Sequence, residues 1–181
     1  RLGAGLRTNL KFSNKYVLSG YFAYGFADNQ VKYFISGTKI LDRKRWTTIQ
    51  VNTQREIDQV GLEIENLSLN SIFLAASRFG TLNKPYYANY YRLIAQREVF
   101  KGFNLTAGFT RKEFDPVFDF NYLDETTGTY QSRFDLAQVN LGIRYGKDEV
   151  NIINDNYRVS LGPVKWPVFD FRFTQGLNSL G

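Results

Sequence analysis

Asp115, Asp119, Asp124 and Glu125 fall within the stretch DPVFDFNYLDETTG. Carboxylates this close together are the raw material of a general acid–base pair or an oxygen-rich calcium loop. Their spacing fits no calcium loop, and an acidic surface loop is the reading they support. A second constellation is sharper. Asp170 and Arg172 stand two apart in a stretch of alternating polarity, so they project from one face of a strand. Arg144 lies on the polar face of the strand candidate before it. In a small barrel these charges would pair into a network that fills the lumen. In a wide barrel they would line a pore and bias ion passage. Pairing is the preferred reading, because an inward charge needs a partner wherever water is limited.

The rest of the composition narrows the chemistry. The 181 residues include no Cys, no His and no Met. That excludes a disulfide framework, a Cys or His metal site and the Ser-His-Asp and Cys-His arrangements within this chain. Gly3 and Gly5 in RLGAG lack the third glycine and following helix of a dinucleotide loop and read as strand glycines. The net charge is +6, but the basic residues are scattered. The one dense cluster, Arg43-Lys44-Arg45, lies between two strand candidates and reads as a solvated turn. No basic face and no RNA-binding motif emerges, so nucleic acid is not an expected partner. The expectation is a non-enzyme with no metal and no cofactor. The chain opens at Arg1 inside a strand-like pattern, which reads as a piece of a longer polypeptide.

The elements that would carry these residues are strands. Period-two alternation recurs over Leu2–Phe12, Tyr16–Phe26, Val31–Leu41, Trp46–Gln54, Tyr86–Phe100, Phe103–Phe114, Phe134–Tyr145 and Trp166–Gly176. In YVLSGYFAYGF the residues Leu18, Phe22, Tyr24 and Phe26 share one face, against Val17, Ser19, Tyr21, Ala23 and Gly25. Leu105 and Phe109 repeat the pattern, as do Val139, Leu141 and Ile143, and then Phe169, Phe171 and Phe173. The opposite faces carry Gln, Asn, Thr and the three charges already named. Many of these strands reach ten or more residues, where soluble domains favour about five or six and membrane strands need about 9–11. No run approaches the roughly 18 apolar residues of a membrane helix. Aromatic residues make up 17% of the chain, with 12 Tyr and 16 Phe, more than an ordinary soluble core requires.

The connections largely alternate in length, although the second, at Asp28–Gln30, is short as well. Those at Ser13–Lys15, Asp42–Arg45 and Lys101-Gly102 are short, and long loops are expected over about 55–85 and 115–131. Within the first long loop, SLNSIFLAASRFG reads as a short helix with Ser68 or Asn70 as cap and Gly80 as its end. A membrane barrel has short turns on one side and long loops on the other. The connection over Gly146–Lys165 should be short and is not. Either it is an atypical loop or NYRVSLG holds strand residues. Trp46, Tyr86, Tyr87, Tyr90, Tyr91 and Trp166 cluster near strand ends, where ring-bearing residues with a polar tip would form a headgroup-level belt.

Three stretches, GLRTNLKFSNKYVLSGYFAYGFAD, YYRLIAQREVFKGFNLTAGFTRKEFDP and LGPVKWPVFDFRFTQG, together cover about half the chain. They resemble a family of uncharacterised Gram-negative outer-membrane barrels that carry a carboxypeptidase-regulatory-like domain ahead of the barrel. The resemblance implies further strands after Gly181 and a periplasmic domain before Arg1, and it supplies no activity. That family is in turn distantly similar to BamA-like assembly factors, whose loop motif runs hydrophobic-Arg-Gly-aromatic. The nearest string here is Phe100-Lys101-Gly102-Phe103, with Lys in place of Arg and in a tight turn, which argues against an insertase role.

The combined expectation is an all-β, antiparallel transmembrane barrel segment of about eight strands, part of a larger barrel, in a bacterial outer membrane. Leu18, Phe22, Tyr24, Phe26, Leu105, Phe109, Val139, Leu141, Ile143, Phe169, Phe171 and Phe173 would face lipid. Its role would be passage or assembly of envelope molecules, or a structural place in an outer-membrane complex with other proteins. The competing expectation is a soluble eight-stranded barrel holding a small apolar ligand.

Overall fold

The computed structural model describes residues 2–26, 28–60, 84–124 and 128–177. Its described residues form strands and contain no helix. The helix expected within Ser68–Gly80 lies outside the described residues. Eight strands make the main sheet: β1 (Leu2–Arg7), β2 (Tyr16–Gly25), β3 (Gln30–Asp42), β4 (Thr47–Gln59), β5 (Pro85–Phe100), β6 (Phe103–Pro116), β9 (Phe134–Tyr145) and β12 (Phe169–Gly176). Two small hairpins, β7–β8 (Tyr122–Asp124, Thr129–Gln131) and β10–β11 (Glu149–Asn154, Tyr157–Pro163), stand apart from it. Every pairing in the main sheet is antiparallel and joins strands in chain order, apart from the skipped hairpins. β1 and β12 are its two edges, and they are not paired with each other.

The sheet is long in the strand direction. β3 and β4 have 13 residues each, β5 has 16 and β6 has 14, well beyond the usual ~5–6 of soluble strands. Alternation sets their register, because a one-residue slip would exchange the two faces completely. Tight turns then lock it. Between β5 and β6 the chain reverses at Lys101-Gly102, with Gly102 at φ +81°. A side chain there would place Cβ 2.2 Å from the Gly146 carbonyl oxygen, so only glycine fits the turn. Phe100 and Phe103 stack across it at 4.7 Å.

Several boundaries differ from the sequence expectation. β1 stops at Arg7, because Asn9 folds back and its Oδ1 accepts from the Lys11 and Phe12 amides, turning the chain early. β4 runs on to Gln59, so the first long loop is shorter than expected and Arg55, Glu56 and Asp58 are strand residues. β6 likewise runs to Pro116, and β12 begins only at Phe169. The second long loop carries β7–β8. The alternative that NYRVSLG holds strand residues is the one realised: Tyr157–Pro163 is β11, paired with β10.

Registers place every side chain of the sheet on one of two faces. Leu18 on β2 stands level with Gly37, Val51, Leu93, Phe109 and Val139 on successive strands. This face also holds Phe22, Tyr24, Ile49, Leu105, Leu141, Ile143, Phe171 and Phe173, and those side chains are exposed. Phe109 and Val139 on the same face are half-buried. The opposite face holds Lys32, Ser36, Thr48, Glu56, Asp58, Glu98, Asn104 and Thr110, all buried. The ordinary order of a water-soluble protein is thus reversed across the sheet.

Candidate functional site: the polar face and the hairpin across it

The polar face is built by alternation alone. β4 contributes Thr48, Gln50, Asn52, Gln54, Glu56 and Asp58 in steps of two, while its other positions supply Ile49, Val51 and Ile57. β6 and β9 add Asn104, Thr106 and Thr110, and Gln138, Asn140 and Arg144. Neighbouring strands satisfy several of these groups, while the buried Asn52 Oδ1 has no hydrogen-bond partner among the described residues. The Gln50 amide donates to Ser36 Oγ at 3.1 Å, and Asn140 donates to Thr110 Oγ1 at 3.3 Å and accepts from Thr174 at 3.0 Å. Toward the loop end the Tyr21 hydroxyl donates to Glu56 at 2.6 Å and the Tyr90 hydroxyl to Asp58 at 2.9 Å. Lys112 donates to the Tyr86 hydroxyl at 3.0 Å and lies 4.4 Å over the Phe114 ring. These are the pairings a charge needs when it is taken out of bulk water.

Arg144, Asp170 and Arg172, the charges singled out in the sequence, are brought together. Arg172 Nε lies 3.0 Å from Asp170 Oδ1, and Arg144 Nη1 lies 3.7 Å from Asp170 Oδ2. The nearer partner of Arg144 is Glu149 on β10, at 2.6 Å, a carboxylate that sequence reasoning missed. Burial alone would raise the Glu149 carboxyl. Hydrogen bonds from the Arg144 guanidinium and the Ser160 hydroxyl, with the nearby Arg158 charge, outweigh that and hold it below its ordinary value.

Glu149 belongs to a hairpin that crosses the turn end of the polar face. Arg158 on β11 pairs with Glu98 of β5 at 2.8 Å. Arg43 donates to the Asp155 carbonyl at 3.0 Å and to the Asn156 side chain, and Asn156 donates to the Ser13 carbonyl at 3.0 Å. The Arg7 guanidinium stacks 3.4 Å over the Tyr157 ring. Arg7, Glu98 and Arg144 are polar-face residues of β1, β5 and β9. One short hairpin touches all three, so the sheet curls around it and its polar face is concave. No local signal in the sequence announces these partners, because they meet only when β10–β11 folds back.

The six strand-end aromatics do not form one belt. Trp46, at φ +33° in the β3–β4 turn, is buried against Val17 and Ile40 on the concave side. Tyr86 and Tyr90 also point inward and are buried. Only Tyr87, Tyr91 and Trp166 are left. Tyr87 is on the outer face but buried, its hydroxyl donating to Asp28 at 3.0 Å. Tyr91 is exposed on the outer face, and Trp166 is exposed with Lys147 Nζ 4.6 Å over its ring. For the tyrosines of β5, strand-end position does not say which face a ring takes, and parity does.

The acidic loop is dispersed. Asp115 pairs with Arg133 at 2.8 Å, Asp124 accepts from Gln131 at 3.0 Å, Asp119 is exposed, and Glu125 lies outside the described residues. Arg43, in the basic cluster read as a solvated turn, is instead a fastener of the hairpin.

The outer apolar band has a slope. On β2 it is centred on Phe22, between Leu18 and Phe26. On β9 it is centred on Gly142, between Val139 and Tyr145. Gly142 stands level with Thr106, Gln96, Thr48 and Ile40, and Ile40 bonds to Lys15. The centre therefore drops about seven residues in five strand-to-strand steps. At ~3.3 Å per residue and ~4.8 Å per step, a level band requires strands tilted by roughly 40–45°.

No protein-family model, curated protein or solved structure matches the chain.

Proposed function

We propose that this chain forms part of the wall of an outer-membrane β-barrel, a non-enzymatic protein that passes water-soluble envelope molecules. The observation that carries the reading is the reversed polarity of the sheet. Across the apolar band its large apolar residues are exposed on the outer face and buried charges and amides line the concave face, while the outer-face charges Arg55, Arg111, Glu113 and Asp135 lie at the loop end. Lipid is the solvent in which that order is favourable. The slope of the apolar band supports it, because roughly 40–45° approximates the ~35–45° strand tilt of membrane barrels. The concave face, lined by Gln, Asn, Thr and paired charges, suits water and polar solutes. It is a poor host for the small apolar ligand of a soluble barrel.

The resemblance to Gram-negative outer-membrane barrels points the same way and names the compartment, the bacterial outer membrane. In lipid an open sheet edge is not tolerated. The free edges of β1 and β12 are accordingly paired with further strands in the working barrel. The test is heat-modifiability of the full-length native protein, extracted in detergent and run on a gel with and without boiling. A faster-migrating unboiled band is the expected result. A protein found in the soluble fraction with no shift on boiling overturns the membrane reading.

A further inference from the structure

The concave face is crossed at one end by a segment that the sheet itself does not need. β9 and β12 are adjacent and antiparallel, and a two-residue turn such as Lys101-Gly102 could join such strands. The chain instead inserts residues 146–168 there and folds β10–β11 back over the concavity. The insertion is held by a particular kind of contact. Of its described residues from Glu149 to Pro163, only Glu149 and Asn156 are buried, and both are polar. Val150, Ile152, Val159 and Leu161 share the hairpin's other face and are exposed. The fasteners are the ion pairs Arg158–Glu98 and Arg144–Glu149, the bonds of Arg43 and Asn156, and the stack of Arg7 on Tyr157.

Segments with few buried apolar contacts open at low free-energy cost. The ion pairs are sheltered, so the hairpin is held by a few specific polar contacts and not by a packed core, and loss of one partner leaves the other charge poorly compensated. The base of the hairpin is anchored differently. Asp148 accepts from the Trp166 amide at 3.1 Å and from the Lys165 amide, and Gly146 donates to the Gly102 carbonyl at 2.9 Å. The base is tied to its own flanks and to the β5–β6 turn. The tip, at Asp155 and Asn156, is tied across the mouth to Ser13 and Arg43, and Arg43 in turn donates to the Asn14 carbonyl.

We infer that β10–β11 is a hinged bar across the turn-end mouth of the barrel, and that release of its ionic fasteners sets how much passes. The inference rests on the membrane-barrel reading. It adds that the barrel is closed at rest at this end and opens by movement of one hairpin, with the strands themselves unchanged.

The test is single-channel conductance of the full-length protein in planar lipid bilayers. These 181 residues have no cysteine, and in a full-length background with any other cysteine changed to serine, Ser13→Cys with Asn156→Cys puts one thiol on the mouth and one on the tip. A short bis-maleimide linking them should lower conductance several-fold relative to the unlinked protein. Glu98→Gln with Arg158→Gln should raise the open fraction several-fold, and replacing residues 149–163 by a short turn should hold the pore open. Equal conductance of linked and unlinked protein, or no gain on removing the hairpin, overturns the bar. The same preparations are run boiled and unboiled. A gel shift with unchanged conductance sinks the bar and leaves the barrel, whereas no shift sinks both.

Discussion

Leu141 on the outer face of β9 is 49% exposed, and Glu56 on the concave face of β4 is 1% exposed. In water the two residues would do better exchanged. Burying a leucine is favourable by about 1.5–3 kcal/mol. Enclosing a carboxylate costs several kcal/mol unless partners replace its water. The sheet meets the second condition by giving Glu56 the Tyr21 hydroxyl at 2.6 Å, and it makes no attempt to meet the first. One face is thus organised by side-chain hydrogen bonds and ion pairs, and the other presents uncovered apolar surface up to the loop end, where Arg55, Asn89, Glu113, Arg111 and Asp135 link to one another. On the proposed membrane reading, the difference is the one selected by a medium that accepts Leu, Phe and Tyr outside and a polar, enclosed space inside.

The largest test of this contrast is a charge placed at the centre of the outer band. Leu141→Arg should destabilise the protein by about 2–4 kcal/mol when it is folded into lipid vesicles, the cost of a cation at the bilayer midplane of a barrel. Urea titration with the heat-shifted gel band as readout measures it. If the outer face met water, a half-exposed position would change by no more than about 0.5 kcal/mol. A small effect therefore breaks the comparison at its root.

The matching test on the inner face is Glu56→Ala. Removing the buried acceptor of the Tyr21 hydroxyl should cost about 1–3 kcal/mol, and Glu56→Gln, which keeps the shape and one acceptor, distinctly less. Measured in the same vesicles, an alanine cost below about 0.5 kcal/mol would mean that water takes over the role of Glu56 and that the inner face is wetter than its burial implies.

How much of this was legible in the sequence follows from what alternation can and cannot encode. Phe134–Tyr145 is a strand with the boundaries its pattern gives, and its partition into Val139, Leu141 and Ile143 against Gln138, Asn140 and Arg144 is the one observed. Arg55, Glu56 and Asp58 read as loop because they are charged, yet they extend β4. Charge signals water in a soluble chain, and in this sheet two of the three sit on the enclosed face. The Thr8–Phe12 stretch alternates well enough to pass for strand, but a single Asn9 side chain captures two backbone amides and ends it. The grouping of Arg144, Asp170 and Arg172 was visible because it depends on parity along adjacent strands. Glu149, Glu98 and Arg158 were not, since their meeting depends on where a hairpin folds, and no local spacing records that.

The hairpin adds a pH dependence that separates it from the sheet. Glu149 faces Arg144 from β9, Ser160 and Arg158 from β11, with Asp170 beyond Arg144 and Glu98 beyond Arg158. Its carboxyl is held below the ordinary value, so the stability it contributes is full above that value and is lost as pH falls through the depressed one. Amide exchange over residues 149–163, corrected for intrinsic rates, should therefore be unchanged through neutral pH and accelerate only below the ordinary carboxylate range. The amides of β2–β5 should not follow. Acceleration that begins well above that range would show that another group holds the hairpin.

The smallest expected effect distinguishes two ion pairs of the same length. Arg133–Asp115, at the loop end, and Arg158–Glu98, under the hairpin, are both 2.8 Å apart. Arg133 is 73% exposed, and Arg158 is 12% exposed. Arg133→Gln should change stability by no more than about 1 kcal/mol, and less at high salt, because water and ions already screen the pair. Arg158→Gln removes the same charge from a sheltered site and leaves the Glu98 carboxylate without its cation, with the Gly102 amide still donating to it at 2.9 Å. Its effect should be larger, persist in salt, and be concentrated in the exchange rates of the hairpin and the β5–β6 turn. Equal effects of the two substitutions would mean that the turn end is as open to solvent as the loop end. The enclosed character of the concave face would then stop short of the hairpin that crosses it.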